Sequence, residues 1–430
     1  AGADFVDVEF QTFKNPDVQS VIRAMLEQYP STQLILSRHN FKGPFDDLNL
    51  EYETILSLYP EAIPKIVYKA RHINDCFAAF DLLLSADSPV IAFAMGPAGQ
   101  ISRVLAKKFG SFLTFASLDD DSTSAPGQLS VAEMKQLYRW DHLNAKTEIF
   151  GLIGNPVAHS IGPMVYNTCF DANDIDAIYL PFLIEGEEQE FDEFLQNVLS
   201  RSKMGFGGFS VTIPHKTHAL YFANQHGDYV ENLAETIGAV NTLKIGFNGL
   251  LSAYNTDYSG ALDALAAAIG ADKHSLHAVK VAVLGAGGAA RAVVAGLVDV
   301  GARVTVYNRT AKKAESLAQE FRCRAAGIDE LGAMDAAVVV NCTSLGMHPD
   351  VDTSPVPEGI LKADLTVFDT VYNPIETLLL KQAQAAGATV INGAEMFIRQ
   401  AMAQYKLFIG DEPDQDQIRK IVYSRLSLVQ

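Results

Sequence analysis

The chain has 430 residues, enough for two or three domains. Lys and Arg number 33 against 51 Asp and Glu, a formal net charge of −18; a chain this acidic lacks the basic footprint of a nucleic-acid binder or of a protein held to anionic lipid. Hydrophobic residues make up 48% and charged residues 20%, which argues against intrinsic disorder, and no apolar run approaches the roughly 20 residues of a membrane span.

The sequence opens at Ala1 and runs at once into a strand pattern, Val6–Phe10, without a signal-peptide pattern, so a preceding segment is expected. Further strand patterns follow at Leu34–Ser37, Ile63–Tyr68, Val90–Ala94 and Leu113–Ala116. The stretches between are helix-length, for example Asn74–Ser85 and Ser102–Lys108. This alternation predicts an α/β fold with a parallel sheet and helical crossovers. Five strands fall short of the eight that a closed (β/α) barrel needs. Asp119–Gln128 reads as a loop, Val131–Trp140 as a helix, and Asp141–Thr147 as a domain boundary. A second alternating region runs from Ile149 to about Asp257, and a third starts at Val279. From Gly393 to Gln430 the apolar residues Met396, Phe397, Ala401, Tyr405 and Phe408 recur at helical spacing.

Val279–Leu284 is a buried-strand pattern, followed by Gly285-Ala286-Gly287-Gly288-Ala289-Ala290 and a helix, Arg291–Val300. Gly285 permits a tight turn, Gly287 lets the backbone approach a pyrophosphate, and small Ala290 allows close helix–strand packing. A plain βα turn is the alternative, but the strand before and the helix after favour a dinucleotide site. The next strand, Arg303–Tyr307, ends in Asn308-Arg309-Thr310, with Lys312 and Lys313 behind. A NAD site would place an acidic residue here for the ribose 2′-hydroxyl. Cations and hydroxyls instead suit a 2′-phosphate, which points to NADP. The four cysteines, Cys76, Cys169, Cys323 and Cys342, show no paired spacing, and the ten histidines show no ligand spacing. A reducing compartment and no metal are therefore expected. The cytoplasm is the expected location, or the plastid for a plant protein.

Residues from about 149 to 430 resemble shikimate dehydrogenase over the length of that enzyme. The resemblance rests on Gly154-Asn155-Pro156-Val157-Ala158-His159-Ser160, Ser210-Val211-Thr212-Ile213-Pro214-His215-Lys216, Gly238–Thr242, Asn255-Thr256-Asp257, Asn341–Met347, Asp369–Pro374 and Gly393–Gln400, in that order. The first 140 residues resemble the later part of a type I 3-dehydroquinate dehydratase. Val6-Asp7-Val8-Glu9, Ser37–Phe41, Ile63–Ile66, Met95-Gly96 through Ser102-Arg103, and Ser124–Gln128 carry that likeness. Dehydratase then dehydrogenase is the order of the bifunctional shikimate-pathway enzyme.

The resemblance implies three regions: 1–140 as a partial (β/α) barrel, 149–257 plus 392–430 as a substrate lobe, and 258–391 as a Rossmann lobe. It implies Lys216 with Asp257 as the proton donor to a ring carbonyl, and Ser160, Thr212, Asn241, Asn255, Tyr372 and Gln400 as substrate contacts. Thr343 and Gly393 join Gly285, Ala286, Gly287, Gly288, Ala289, Asn308, Arg309, Thr310 and Lys313 around the cofactor. In the dehydratase half it implies Lys65 as a Schiff-base lysine, placed where desolvation would favour the neutral amine. His39 would be its general acid–base, Glu9 the carboxylate orienting His39, and Arg103, Ser124 and Gln128 substrate contacts. The partners implied are small molecules: 3-dehydroquinate, 3-dehydroshikimate and shikimate.

Two departures qualify this. The family's first three barrel strands have no counterpart in these residues, so the dehydratase half is either incomplete or a non-catalytic module. The family's Ser-x-Ser pair is here Ser160-Ile161-Gly162. A lost hydroxyl removes a charge-assisted bond worth roughly 1.5–3 kcal/mol, and Gly162 is expected to leave room for the extra hydroxyl of quinate. Quinate dehydrogenase is thus the alternative, with a regulatory NADP-binding protein a third, disfavoured by the presence of Lys216 and Asp257.

Overall fold

The computed structural model describes residues 2–118, 128–158, 160–186, 188–270, 272–357 and 359–427. The fold is α/β and forms two compact units. One is Ala1–His218 with Ile245–Gly249; the other is Ala219–Lys244 with Leu250–Gln430.

The first unit opens with a four-stranded parallel sheet: β1 (Phe5–Glu9), β2 (Gln33–Asn40), β3 (Ile63–Lys69) and β4 (Ile91–Met95), in sequence order. Helices Pro16–Gln28, Leu48–Leu58 and Cys76–Ser85 make the crossovers. Polar side chains start the first two: Asn15 accepts from the Asp17 N–H and Asp47 from those of Asn49 and Leu50. β3 is buried from Ile63 to Tyr68, as its apolar run requires of an inner parallel strand.

Three local expectations are corrected. Leu113–Ala116 is not a strand. Phe112 N–H reaches Val90 O (2.9 Å) and Ser117 bridges Ser130, but no ladder forms between. Its side chains still behave as a strand's would: Leu113 and Phe115 pack on the β-sheet face made by Ile35, Ile63, Val67, Ile91, Phe93 and Met95. The helix expected at Ser102–Lys108 lies earlier, at Gln100–Val104, where the Ser102 hydroxyl bonds back to Gly99 O. The helix expected at Val131–Trp140 is interrupted: Glu133–Leu137 forms a wide π-helical turn, and Arg139 takes φ 52°. Its guanidinium is the physical reason, since Nη1 donates to Ile175 O and Ala177 O, each at 3.2 Å.

Farther along the first unit, β5 (Glu148–Gly154) is flanked by β6 (Ala177–Leu183) and β7 (Phe206–Val211), all parallel. A tight seam joins this sheet's helices to the preceding region. Phe77 packs its ring near Phe194 (5.8 Å) and Phe206 (6.2 Å). Asn74 donates to Glu190 O (3.1 Å), and Arg201 grips Asp81 through Nε (3.0 Å) and Nη2 (2.9 Å).

The short strands β8 (Tyr229–Val230), β9 (Thr242–Ile245) and β10 (Leu251–Tyr254) follow; β8 and β10 pair in parallel. The second unit then builds a six-stranded sheet from β11 (Lys280–Leu284), β12 (Arg303–Asn308), β13 (Arg324–Gly327), β14 (Val338–Asn341), β15 (Thr366–Asp369) and β16 (Thr389–Ile391). Its order, β13-β12-β11-β14-β15-β16, is parallel throughout. Apolar cores cover both faces: Val281, Val283, Val293 and Leu297 on one side, Ala282, Leu284, Leu379 and Leu380 on the other. Strand order reverses at β11, the position where doubly wound sheets bind ligands. Helices Gly393–Ile409 and Gln415–Ser427 close the chain.

Candidate active sites

The first site lies on the sheet β1–β4. Side chains two apart share a strand face, so Asp7 and Glu9 on β1, Ser37 and His39 on β2, and Lys65 on β3 form one polar patch. Glu9 Oε1 bonds His39 Nδ1. Lys65 is buried, with its ammonium 4.2 Å from the Phe115 ring centroid. Its Nζ donates to Asp7 Oδ2 at 2.7 Å. Arg103 is also buried, over the Phe93 ring at 4.4 Å, and among the described residues its Nε has no hydrogen-bond partner. Burial lowers this guanidinium to about 10. A buried cation with an orphaned donor suits a carboxylate ligand. Gln128 is half-buried, and Ser124 lies outside the described residues.

The second group belongs to the sheet around β5. Ser160 accepts from Gly162 N–H (3.1 Å) just before helix Gly162–Ala172. A Cβ at Gly162 would stand 3.1 Å from Tyr179 Cε1 and 3.2 Å from Ser160 Oγ. Tyr179 is fixed by stacking on Tyr166 (4.2 Å) and by donating to Ser210 Oγ (2.7 Å). Thr212 follows β7, and Lys216, half-buried, starts helix Lys216–His226. Between them, buried His215 donates from Nε2 to Ile184 O (2.9 Å) and stacks on Phe191. Burial lowers its basicity, and the ring anchors the turn through Ile184 O.

The third group belongs to the second unit. Asn255 is buried, donates to Ala239 O (2.9 Å) and caps helix Thr256–Ala268 by accepting from Asp257 N–H. Asn241 is wholly buried and fully used. Its Nδ2 donates to Thr256 Oγ1 and Asp257 Oδ1, both at 3.0 Å. Its Oδ1 accepts from Thr256 N–H and Thr242 O–H, both at 2.8 Å. Gln404 Nε2 locks this cluster through Asn241 O (3.1 Å) and Thr242 Oγ1 (2.9 Å). Gln404 went unnoticed in the sequence, although it sits one helical turn after Gln400 on the same face. Gln400 is half-buried, and Tyr372 is exposed with its ring 6.1 Å from Phe397.

The glycine-rich turn carries the dinucleotide features. Gly285 has φ +109°, and a Cβ there would meet Cys342 O and Thr343 Cγ2 at 3.1 Å. Gly287, Gly288 and Ala289 are exposed at the start of helix Gly288–Asp299, with open space around both glycines. The N–H groups that a helix start leaves without intrahelical partners suit an anion. Ala286 is half-buried in the turn. Arg309, Thr310 and Lys313 are exposed beyond β12, where Asn308 Nδ2 holds Thr310 O (3.0 Å). Thr343 is bound to Asn341 Oδ1 through N–H (2.9 Å) and hydroxyl (2.7 Å). Asn341 in turn donates to buried Asp369 (2.9 Å), which also accepts from Thr377 (2.6 Å). Gly393 is required by crowding: a Cβ would lie 2.5 Å from Thr370 O and Val371 O. Among the described residues no cluster of three potential metal ligands occurs, and no helix is long and apolar enough to cross a membrane.

A parallel sheet bearing a lysine and a Glu–His pair, joined to a Rossmann sheet with a phosphate-ready turn, defines a chain of two enzyme classes. Family models agree: Type I 3-dehydroquinase matches residues 1–145, Shikimate dehydrogenase substrate binding domain 152–243, and Shikimate / quinate 5-dehydrogenase 265–362. The chloroplastic bifunctional 3-dehydroquinate dehydratase/shikimate dehydrogenase of Arabidopsis thaliana is 36% identical over 425 residues, covering 95% of this chain and 68% of that protein. Shikimate 5-dehydrogenase from Thermus thermophilus, solved with NADP(H) and shikimate, is 32% identical with a TM-score of 0.56, covering 64% of this chain and 99% of its own. Quinate dehydrogenase from Corynebacterium glutamicum, solved with NAD, is 29% identical with a TM-score of 0.59, covering 65% and 99%. The chain belongs to the family of bifunctional 3-dehydroquinate dehydratase/shikimate dehydrogenases.

Proposed function

We propose that the chain catalyses two consecutive steps, dehydration of 3-dehydroquinate and NADP-dependent reduction of 3-dehydroshikimate to shikimate. Residues 1–140 would serve the first, 149–257 with 392–430 would hold the acid for the second, and 258–391 would hold the cofactor. The single observation that carries this reading is the polar patch of a buried lysine beside a Glu–His pair, fused to a Rossmann turn followed by exposed cations.

In the dehydratase, the Lys65 amine attacks the ring ketone and His39, held by Glu9, moves the proton that the elimination requires. Arg103 binds the acid's carboxylate, which would satisfy its orphaned Nε. Gln128 and Ser124 complete the contacts. In the dehydrogenase, the bound nicotinamide cofactor supplies the hydride. Lys216 delivers a proton to the carbonyl oxygen as it becomes a hydroxyl, and Asp257 orients that ammonium. Ser160, Thr212, Asn255, Tyr372 and Gln400 would surround the hydroxyls and carboxylate of the acid, while Asn241, its amide spent within the protein, would hold Asp257. The helix start at Gly287–Ala289 takes the pyrophosphate, while Arg309, Thr310 and Lys313 take the 2′-phosphate. Small acids are the partners, and the cytoplasm, or the plastid in a plant, is the proposed location.

Supplying 3-dehydroquinate and NADPH to the purified chain and identifying the acid by mass tests this. Shikimate supports both steps. Quinate means direct reduction. No product from 3-dehydroquinate, with 3-dehydroshikimate still reduced when given separately, leaves the dehydrogenase step alone.

A further inference from the structure

Asp7 differs from the other acidic groups of the β1–β4 sheet. Both its oxygens are engaged on the polar patch, Oδ1 by the Ser37 hydroxyl and Oδ2 by the Lys65 ammonium at 2.7 Å. The parallel register explains the reach. Glu9 lies opposite Ser37 and Ser37 opposite Lys65, and Asp7, two residues before Glu9 on the same face of β1, reaches Ser37 and Lys65 diagonally from the next row. The Phe115 ring, itself packed on the apolar residues of that sheet face, lies 4.2 Å from the Lys65 nitrogen. Among the described residues, Asp7 is the only acidic group ion-paired with Lys65.

We propose that Asp7 is the positioning residue of the Schiff-base lysine, with Ser37 fixing its carboxylate; this rests on the dehydratase reading above. An ammonium has no lone pair and cannot attack a ketone. It must first give up a proton, and Asp7 Oδ2 is within hydrogen-bond distance to take it. The neutral amine then adds to the ketone carbon. The C–N bond forms as the carbonyl π pair moves to oxygen, and a proton passes from nitrogen to that oxygen. The hydroxyl leaves as water, carrying the proton Asp7 held, while the nitrogen lone pair closes the C=N bond. Ammonium and ketone have become iminium and water, and the Asp7 carboxylate again faces a cation. Glu9 cannot take this part, because its carboxylate is committed to His39. The two acids two residues apart thus divide the work, one orienting the acid–base imidazole and the other the nucleophile.

The test is borohydride trapping of 3-dehydroquinate on the full chain, with the adduct located by peptide mass and its initial rate measured. Asp7→Asn keeps the volume and removes the charge; trapping at Lys65 should slow by about a hundredfold. Asp7→Ala should slow comparably and be partly rescued by added formate, which a purely structural carboxylate would not show. Dehydrogenase turnover of each variant, with 3-dehydroshikimate and NADPH, reports whether the fold survives. Trapping in Asp7→Asn within about twofold of the parent, or no formate rescue of Asp7→Ala, overturns the assignment to Asp7 and leaves the dehydratase reading intact. No adduct on Lys65 in the parent overturns that reading, and this one with it.

Discussion

Asn241 offers a sharp test, because its amide is spent within the protein. In Asn241→Ala, the Thr256 N–H and Thr242 O–H lose their acceptor in a fully buried place, and Asp257 loses a donor. Each buried orphan costs about 1–3 kcal/mol. The Thr242 hydroxyl can turn, so the lower half of the sum, about 3 kcal/mol, is expected. For a unit of this size that lowers the melting temperature by about 6–12 °C. The functional consequence follows from Asp257, whose carboxylate would lose the donor that Asn241 provides and shift its aim; a displacement near 1 Å is worth about a hundredfold in rate. Calorimetry measures the first effect, and steady-state reduction of 3-dehydroshikimate the second. The expectation is a fall in kcat with a smaller change in KM. A variant whose kcat stays within about twofold while KM rises would show that Asn241 serves the substrate directly, and the positioning argument would fail.

Arg309→Ala should weaken NADPH binding about tenfold or more and leave NADH nearly unchanged, as expected for a lost charge-assisted bond; equal losses for both cofactors would remove Arg309 from the 2′-phosphate site. Gly393→Ala should cost about 3 kcal/mol, since its Cβ would press on two carbonyls at 2.5 Å; an unshifted denaturation midpoint would contradict this crowding. Burial pushes the Glu395 carboxyl up, yet Arg419 and Arg399 together pull it down to about 2. A carboxyl lowered on folding stabilises above its unfolded value near 4.5 and stops doing so as pH falls toward 2. Helix Gln415–Ser427, held to Glu395 through Arg419, should therefore lose amide-exchange protection across that acid window, and Glu395→Gln should abolish the pH dependence. Equal protection of the parent at pH 7 and pH 3 would count against it. Gly162→Ser should destabilise helix Gly162–Ala172 rather than restore a free hydroxyl, because Tyr179 fills the space; a fully stable serine variant with tighter shikimate binding would show that the ring yields.

The sequence made the parallel sheets legible because buried strands such as Val279–Leu284 and Ile63–Tyr68 are continuous apolar runs with helix-length spacers. Leu113–Ala116 misled because apolar residues that cover a sheet face obey the same pattern as those that pair in it. The helix after Val131 broke where Arg139 reached two distant carbonyls, a tertiary effect invisible to local propensity. At the sites, motif order singled out Lys65, the Glu9–His39 pair and Asn241, but the partners of Lys65 and Asn241 needed coordinates. Asp7 was within reach of a period-two reading, being two residues from Glu9 on one strand. Tyr179 was not, since nothing local indicates that its ring covers Gly162 across the turn.

The seam around Phe77 bears on how this chain can be divided. Phe77 belongs to the stretch that matches the type I 3-dehydroquinase model, Phe194 and Phe206 to the stretch that matches the substrate binding domain, and Arg201 with Asp81 joins the same two stretches. Cutting between the two would not release two ready-made enzymes. It would wet three aromatic rings and strand a guanidinium, leaving each fragment with a sticky scar of the kind that drives self-association. A dissected dehydrogenase would therefore need polar replacements at Phe194 and Phe206 before its behaviour could stand for that of the intact protein.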